Sequence, residues 1–157
     1  MDYLCLFDVW KGPTDNEEVD FTVQFKTEAR QGFWHEDSLY MSYEVFTLFV
    51  GCFERSVDEI NHFGQTTFRV PNLIRLQDEL RRCQKACSEA KDIGAFRFAL
   101  RRSAAKYGGL QYLDRWDPNW ELDWESLAGA VDRVFGKLLS LVTEHVNKKE
   151  RIEVLGP

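Results

Sequence analysis

The chain of 157 residues is 44% hydrophobic and 14% aromatic, which predicts one globular domain over residues 1–157 and excludes a disordered chain. It has no run of about 18 apolar residues, so we expect no membrane-spanning helix, and residues 1–8 lack the basic start of a signal peptide. The formal net charge of −6 disfavours general nucleic-acid binding, which requires an excess of cations.

The charge is distributed unevenly along the chain. Residues 1–65 carry 13 acidic and 4 basic side chains, residues 66–108 carry 4 and 10, and residues 109–157 carry 9 and 6. The acidic excess favours a basic partner. The arginines of the middle segment either pair with the acidic N-terminal part or form a nucleic-acid face; we favour pairing, because the segment lacks aromatic residues placed for base stacking. These arginines are Arg75, Arg81, Arg82, Arg97, Arg101 and Arg102.

The N-terminal part of the chain has the side-chain pattern of β-strands. Residues 3–10 begin with apolar side chains on both faces, which predicts a central strand. Residues 19–25 alternate strictly between apolar and polar, which predicts a half-buried strand. Residues 39–41 predict a third short strand.

The stretch from Ser42 to Ile60 predicts a helix at the centre of the core, because its apolar residues alternate steps of three and four. We expect Ser42 rather than Ser38 to be its N-cap, and Gly64 to end it in a left-handed conformation. The predicted buried stripe contains Leu39, Tyr43, Phe46, Val50, Phe53, Val57 and Ile60.

Two further long helices follow from the same spacing. Pro71 opens one, with Leu73, Leu76, Leu80, Cys83 and Cys87 on its apolar side. Asp123 is the predicted cap of the other, whose stripe contains Leu127, Val131, Val134, Leu138, Leu141 and His145. Residues 92–107 fit both a strand and a helix, and we favour a helix after Gly94 because of their alanines.

Strands therefore precede helices instead of alternating with them, and residues 152–154 add a last strand. This order predicts an α+β fold in which N-terminal antiparallel strands pack on three main helices, with a short C-terminal strand returning to the sheet.

No pattern in the chain indicates catalysis or a cofactor. His35, His62 and His145 are far apart, and Cys83 and Cys87 have helical spacing rather than the spacing of a zinc site. A nucleophile elbow and a phosphate-binding loop are both absent from the sequence. We therefore predict a protein that is not an enzyme and has no catalytic residues, metal or cofactor. Its four cysteines are expected to be reduced thiols in a cytoplasmic protein.

Residues 113–125 have the most unusual composition in the chain. Trp116, Trp120 and Trp124 are spaced by four residues among acidic side chains, and Pro118 excludes one continuous helix through them, so we expect Trp116 on a loop. The segment either plugs the core with its indoles or forms a contact surface, and both hold if Trp124 lies inside and Trp116 or Trp120 outside. The predicted partner-binding residues are Asp114, Trp116, Asp117, Trp120 and Glu121.

Three segments resemble the immunity proteins of bacterial toxin systems: Ser42-Tyr-Glu-Val-Phe-Thr-Leu-Phe, His62-Phe-Gly-Gln-Thr66 and Ile152-Glu-Val-Leu-Gly156. The resemblance covers about residues 39–90 and 152–156. It implies a small single-domain inhibitor that binds and neutralises a cognate toxin in a stoichiometric complex. The tryptophan-rich segment is outside the resemblance, which therefore assigns no contact residues.

Two other classes of function remain open from the sequence: a small enzyme whose site is assembled only in the fold, and an adaptor or assembly component. For the inhibitor, we expect the acidic segment to contact a basic toxin, and changing Asp114, Asp117 and Glu121 together to amides to slow association with little effect on folding. Trp120→Ala is expected to speed dissociation.

Overall fold

The computed structural model describes residues 3, 7–12, 22–26, 37–106 and 109–156. The fold is α+β, as predicted, with helices following the N-terminal strands and a short strand at the C-terminus. The strands are β1 (Trp10–Lys11), β2 (Thr22–Lys26), β3 (Leu39–Ser42), β4 (Gln65–Phe68) and β5 (Ile152–Leu155). They form one sheet in the order β1-β3-β2-β5-β4, in which every neighbouring pair is antiparallel.

The helices cover one another and the sheet. They are α1 (Tyr43–Phe46), α2 (Val50–Glu54), α3 (Val70–Ser88), α4 (Ile93–Ser103), α5 (Gly109–Trp116), a short 3-10 helix (Trp120–Asp123) and α6 (Trp124–Lys148). Helix α3 packs mainly on α6 and α4. The apolar stripes predicted for α3 and α6 are buried throughout, and the ambiguous residues 92–107 contain helix α4. Within the described ranges, none of the helices combines the length and apolarity needed to cross a bilayer.

The predicted central helix is wrong in its continuity. Ser42 is the N-cap, as predicted, and its hydroxyl accepts from the Val45 N–H. Residues 47–49 then form a turn, because the carbonyls of Thr47 and Leu48 accept from the Ala105 N–H and the Ser103 hydroxyl, both at 2.7 Å. In a continuous helix these carbonyls would accept from residues four positions further on. The end of α4 therefore divides the segment into α1 and α2.

The predicted end of that helix is also wrong. Helix α2 ends at Glu54, so Val57 and Ile60 pack against the core from outside any helix. Gly64 does not have the left-handed backbone that we expected, whereas Gly12 and Lys149 do. The Gly64 carbonyl instead accepts from the Gly156 N–H at 2.7 Å, which ties the turn before β4 to the end of β5.

Gly51 is required where α2 meets the end of α4. A Cβ at this position would lie 2.4 Å from the Ala104 carbonyl oxygen and 2.9 Å from that of Ser103. Since both are backbone atoms, relief requires the helices to separate. We expect Gly51→Ala to lower the free energy of unfolding by about 1–3 kcal/mol in urea denaturation.

A matched control lies in α6. A Cβ at Gly129 would meet no atom within 4 Å. Gly129→Ala is therefore expected to raise the free energy of unfolding by about 0.5–1 kcal/mol, because alanine loses less backbone entropy in a helix. Equal effects of the two substitutions would contradict the close approach of α2 and α4.

The strand predicted over residues 3–10 is wrong at the described residues except Trp10, and residues 4–6 lie outside the described ranges. Tyr3 is helical, and the Phe7 N–H donates to its carbonyl at 2.8 Å. Among the described residues of this stretch, the strand begins at Trp10, continues to Lys11 and lies at the sheet edge instead of the centre. A short run that is apolar on both faces fits a helical turn as well as a strand, because the spacing of four between Tyr3 and Phe7 also places their rings together, 5.8 Å apart.

The other strand predictions are confirmed where residues are described, with one correction. β2 covers residues 22–26, residues 19–21 lie outside the described ranges, and β3 and β5 form as predicted. β2 is not half-buried, because its polar residues Gln24 and Lys26 are buried as well. The Gln24 amide donates to the Ser38 hydroxyl at 2.9 Å, which supplies a partner for one of these polar side chains.

Candidate functional site

The tryptophan-rich segment turns a corner between α5 and α6. Pro118 interrupts the helix, as predicted, but the irregular part is only residues 117–119, followed by the 3-10 helix. Trp116 is the last residue of α5, so its predicted place on a loop is wrong. Asp123 directly precedes α6, as predicted for its cap, but its carboxylate accepts from the Ser126 hydroxyl instead of a backbone N–H.

The three tryptophans are placed differently from our expectation. Trp120 is the innermost, with 1% of its surface exposed, and its indole N–H donates to Asp114 at 2.8 Å. Trp124 and Trp116 are partly buried, with rings 5.4 Å from that of Phe96 and 5.5 Å from that of Phe7. The arrangement with Trp124 inside and Trp116 or Trp120 outside is therefore wrong. All three indoles support the fold, and Trp120 has no surface to offer a partner.

The three predicted acidic contact residues each bind another part of the chain. Asp114 accepts from the Trp120 indole, and Asp117 accepts from the Tyr3 hydroxyl and from the Asn119 N–H at 3.1 Å. Burial, and then the Asp117 carboxylate, raise the pKa of Tyr3. Glu121 forms an ion pair with Arg97 of α4, whose guanidinium also lies 5.9 Å from the Trp120 ring centre. Changing these acids together is therefore expected to destabilise the fold, against our earlier expectation.

Two large apolar side chains stand exposed next to this ion pair. Phe98 follows Arg97 and is 75% exposed, and Leu122 follows Glu121 and is 86% exposed. Phe98 and Leu122 each follow a residue of the ion pair, and neighbouring Cα atoms are about 3.8 Å apart. The two residues are therefore close enough to fit within one interface, to which each partner contributes roughly 800 Å². We call Arg97, Phe98, Glu121 and Leu122 the Phe98–Leu122 surface.

Sequence reasoning missed both apolar residues of this surface. Phe98 lies two residues from buried Phe96 and from buried Leu100, so in a helix it points away from them. That signal was available only after residues 92–107 were assigned as helix. Leu122 lies two residues from Trp120 and two from Trp124, and nothing in the tryptophan spacing marks Leu122 as exposed.

Charged groups of both signs lie around the Phe98–Leu122 surface in the chain. Asp123 and Glu125 follow Leu122 and are exposed, and Arg101 and Arg102 follow Phe98 and are exposed. Among the middle arginines, Arg97 has a described carboxylate within 4 Å, and it belongs to Glu121 instead of the acidic residues 1–65. About half of the acids of residues 1–65 lie outside the described ranges, so the expected pairing with them stays a prediction. The other arginines of that set are exposed, and no described carboxylate lies within 4 Å of them. They are Arg75, Arg81, Arg82, Arg101 and Arg102.

The described residues bear on two kinds of chemical site, a metal site and a cavity lined by titratable side chains. They contain no group of three histidine, cysteine or acidic side chains that could hold a metal. A cavity of about 300 Å³ between α1 and α5 is lined by Leu48, Leu113 and Trp116. The titratable side chains at this cavity are Glu44, Tyr112 and Arg115, and all three are exposed, which is unlike the buried and perturbed groups of most active sites.

No protein-family model, curated protein or solved structure matches this chain.

Proposed function

We propose that this protein is an immunity-type inhibitor, which acts in the cytoplasm by binding and neutralising a cognate bacterial toxin in a stoichiometric complex. The observation that carries the proposal is the Phe98–Leu122 surface. Phe98 and Leu122 are both exposed, and each directly follows one residue of the Arg97–Glu121 ion pair, which brings the two parts of the chain together. Exposed apolar groups with a charged rim are typical of protein interfaces, in which a few such anchors supply most of the binding energy.

The resemblance of residues 39–90 to immunity proteins supports the same function, and the charge of the chain supports a basic partner. The net charge of −6 and the exposed acids at Asp123 and Glu125 would attract a cationic protein. A toxin that acts on a nucleic acid or another anion must present lysine and arginine. The contact residues proposed here are Phe98 and Leu122, with Asp123 and Glu125 as the charged rim, whereas Asp114, Trp116, Asp117, Trp120 and Glu121 hold that surface in place.

The experiment is co-purification of a partner from the source cells with the tagged chain as bait, followed by titration of the purified pair. A toxin-like reading frame immediately upstream of this chain's own would supply the first partner to test. We expect Leu122→Ala and Phe98→Ala each to weaken binding by about 2 kcal/mol, or roughly 30-fold in Kd, as for an anchor residue. Phe63→Ala is the matched control, because Phe63 is as exposed as Phe98 but lies on the turn before β4.

The outcomes separate the functions that the sequence left open. Tenfold or larger losses at Leu122 and Phe98, with none at Phe63, support the proposed surface. If both variants bind as tightly as the wild type, the protein is still an inhibitor, but its interface is not the Phe98–Leu122 surface. A chain that co-purifies with no toxin, or that turns over a substrate alone, would favour the adaptor or the enzyme instead.

A further inference from the structure

A pair of buried thiols lies where α2, α3 and α4 meet. The role inferred for these thiols does not depend on the proposed inhibition. Cys52 belongs to α2 and Cys83 to α3, and neither is exposed to solvent. Both are free thiols. Their sulfur atoms contact the same nitrogen, Nη2 of Arg55, at 4.0 Å for Cys52 and 3.6 Å for Cys83.

Arg55 is held in place by hydrogen bonds to two other parts of the fold. Its Nε donates to Glu79 of α3 at 2.8 Å, and its Nη1 donates to the Arg102 carbonyl at the end of α4, also at 2.8 Å. The remaining nitrogen therefore points at the sulfurs. The Arg55 side chain is 39% exposed, so it forms the layer between the buried thiols and solvent.

The two sulfurs are chemically unequal. Hydrogen bonding with Cys52, together with the Arg55 and Arg102 cations, lowers the pKa of Cys83 to about 7, against the effects of burial and Glu79. The same hydrogen bond, with burial, raises the pKa of Cys52. Cys87 lies one turn further along α3, and burial raises its pKa to about 12. The thiolate is the nucleophilic form of cysteine.

We propose that Cys83 and Cys52 are a peroxide-sensitive pair that closes a reversible disulfide between α2 and α3. The Cys83 thiolate attacks the outer oxygen of a hydroperoxide, its O–O bond breaks, and the departing oxygen takes a proton to leave as water or an alcohol. Cys83 is then a sulfenic acid. The Cys52 sulfur attacks the Cys83 sulfur, the S–O bond breaks, and a second water leaves with the proton of the Cys52 thiol. The two thiols have lost two electrons to the hydroperoxide.

The sequence allows each thiol to be followed separately. Trypsin cleaves after Arg30 and Arg55, after Arg82 and Lys85, and after Lys91, so Cys52, Cys83 and Cys87 fall in peptides 31–55, 83–85 and 86–91. The folded protein is treated with hydrogen peroxide, its free thiols are blocked, and the digest is analysed by mass spectrometry. We expect peptides 31–55 and 83–85 to become joined with loss of two hydrogen atoms, and to separate again with dithiothreitol.

Two variants and one rate measurement test the assigned roles. Cys52→Ser should stop the reaction at the Cys83 sulfenic acid, which a dicarbonyl probe such as dimedone traps. Cys87→Ser is the matched control and should close the disulfide at the unchanged rate. In the untreated wild type at pH 7, a small alkylating agent should modify Cys83 at least about tenfold faster than Cys87, since its thiolate population is much larger.

The proposal is overturned if peroxide joins no peptides in the folded wild type, or if it joins Cys83 to a cysteine other than Cys52. Equal alkylation rates for Cys83 and Cys87 would also overturn it, because they would show that Arg55 and Cys52 do not activate Cys83. These measurements use the wild-type chain, so they hold even if a variant fails to fold. They are also independent of toxin binding.

Discussion

Phe53→Ala should lower the free energy of unfolding by about 3–5 kcal/mol, the usual cost of truncating a buried phenylalanine. Phe53 is 1% exposed, and its ring lies 5.8 Å from that of Phe25 in β2, 5.1 Å from Phe46 in α1 and 5.6 Å from Phe68 in β4. Removing it opens a cavity between two helices and two strands. Because these elements come from separate parts of the chain, they cannot all collapse into the space.

Urea denaturation or calorimetry measures this loss. For a chain of this length, each kcal/mol is expected to lower Tm by about 2–4 °C. Phe63→Ala serves as the control, since Phe63 is 78% exposed, and its substitution should change stability by less than about 0.5 kcal/mol. A loss below about 1 kcal/mol at Phe53 would show that the aromatic cluster is not the centre of the core.

The long helices were predictable because their patterns repeat over many turns. Each long helix keeps one apolar face throughout, from Leu73 to Cys87 in α3 and from Leu127 to His145 in α6. Every residue of the two predicted stripes is buried. A tertiary contact at one point cannot change the period of such a stretch. The strand β5 was predictable for a different reason: its β-branched residues Ile152 and Val154 stand just before the turn residues Gly156 and Pro157.

The segment from Ser42 to Ile60 shows what a periodic pattern omits. Its apolar residues are buried or packed on the core, as predicted, yet its backbone is not one helix. The division depends on the Thr47 and Leu48 carbonyls finding donors at Ala105 and Ser103, more than fifty residues away. No local signal reports such a partner, so the face was predictable and the continuity was not.

The structure places the residues of the tryptophan-rich segment differently from our expectation. The spacing of four between tryptophans places them on one face only in a continuous helix, and Pro118 prevents one. The direction of each indole therefore depends on the local backbone at that tryptophan and not on a shared helix face. The acids were expected to face a partner because clustered carboxylates steer and select a basic protein, whereas Asp114 and Glu121 bind Trp120 and Arg97.

Trp120→Ala should lower the free energy of unfolding by about 3–5 kcal/mol, and any weakening of the proposed toxin binding should follow from that loss. The indole is 1% exposed, stands 6.3 Å from the Phe96 ring and donates to Asp114. It therefore connects α4, α5 and the 3-10 helix. Trp120→Phe keeps most of the apolar volume and loses the hydrogen bond to a carboxylate, so a smaller loss of about 1–3 kcal/mol is expected.

Leu122→Ala is the matched substitution two residues further along, where the side chain is 86% exposed. It should leave stability within about 0.5 kcal/mol, because its side chain contributes little to the core. Denaturant unfolding and toxin titration on the same preparations separate the two effects. If Trp120→Ala unfolds at the wild-type denaturant concentration yet dissociates faster from the toxin, Trp120 is a contact residue and its buried position is wrong. If Leu122→Ala instead loses stability, Leu122 belongs to the core and the Phe98–Leu122 surface has no exposed anchor at that end.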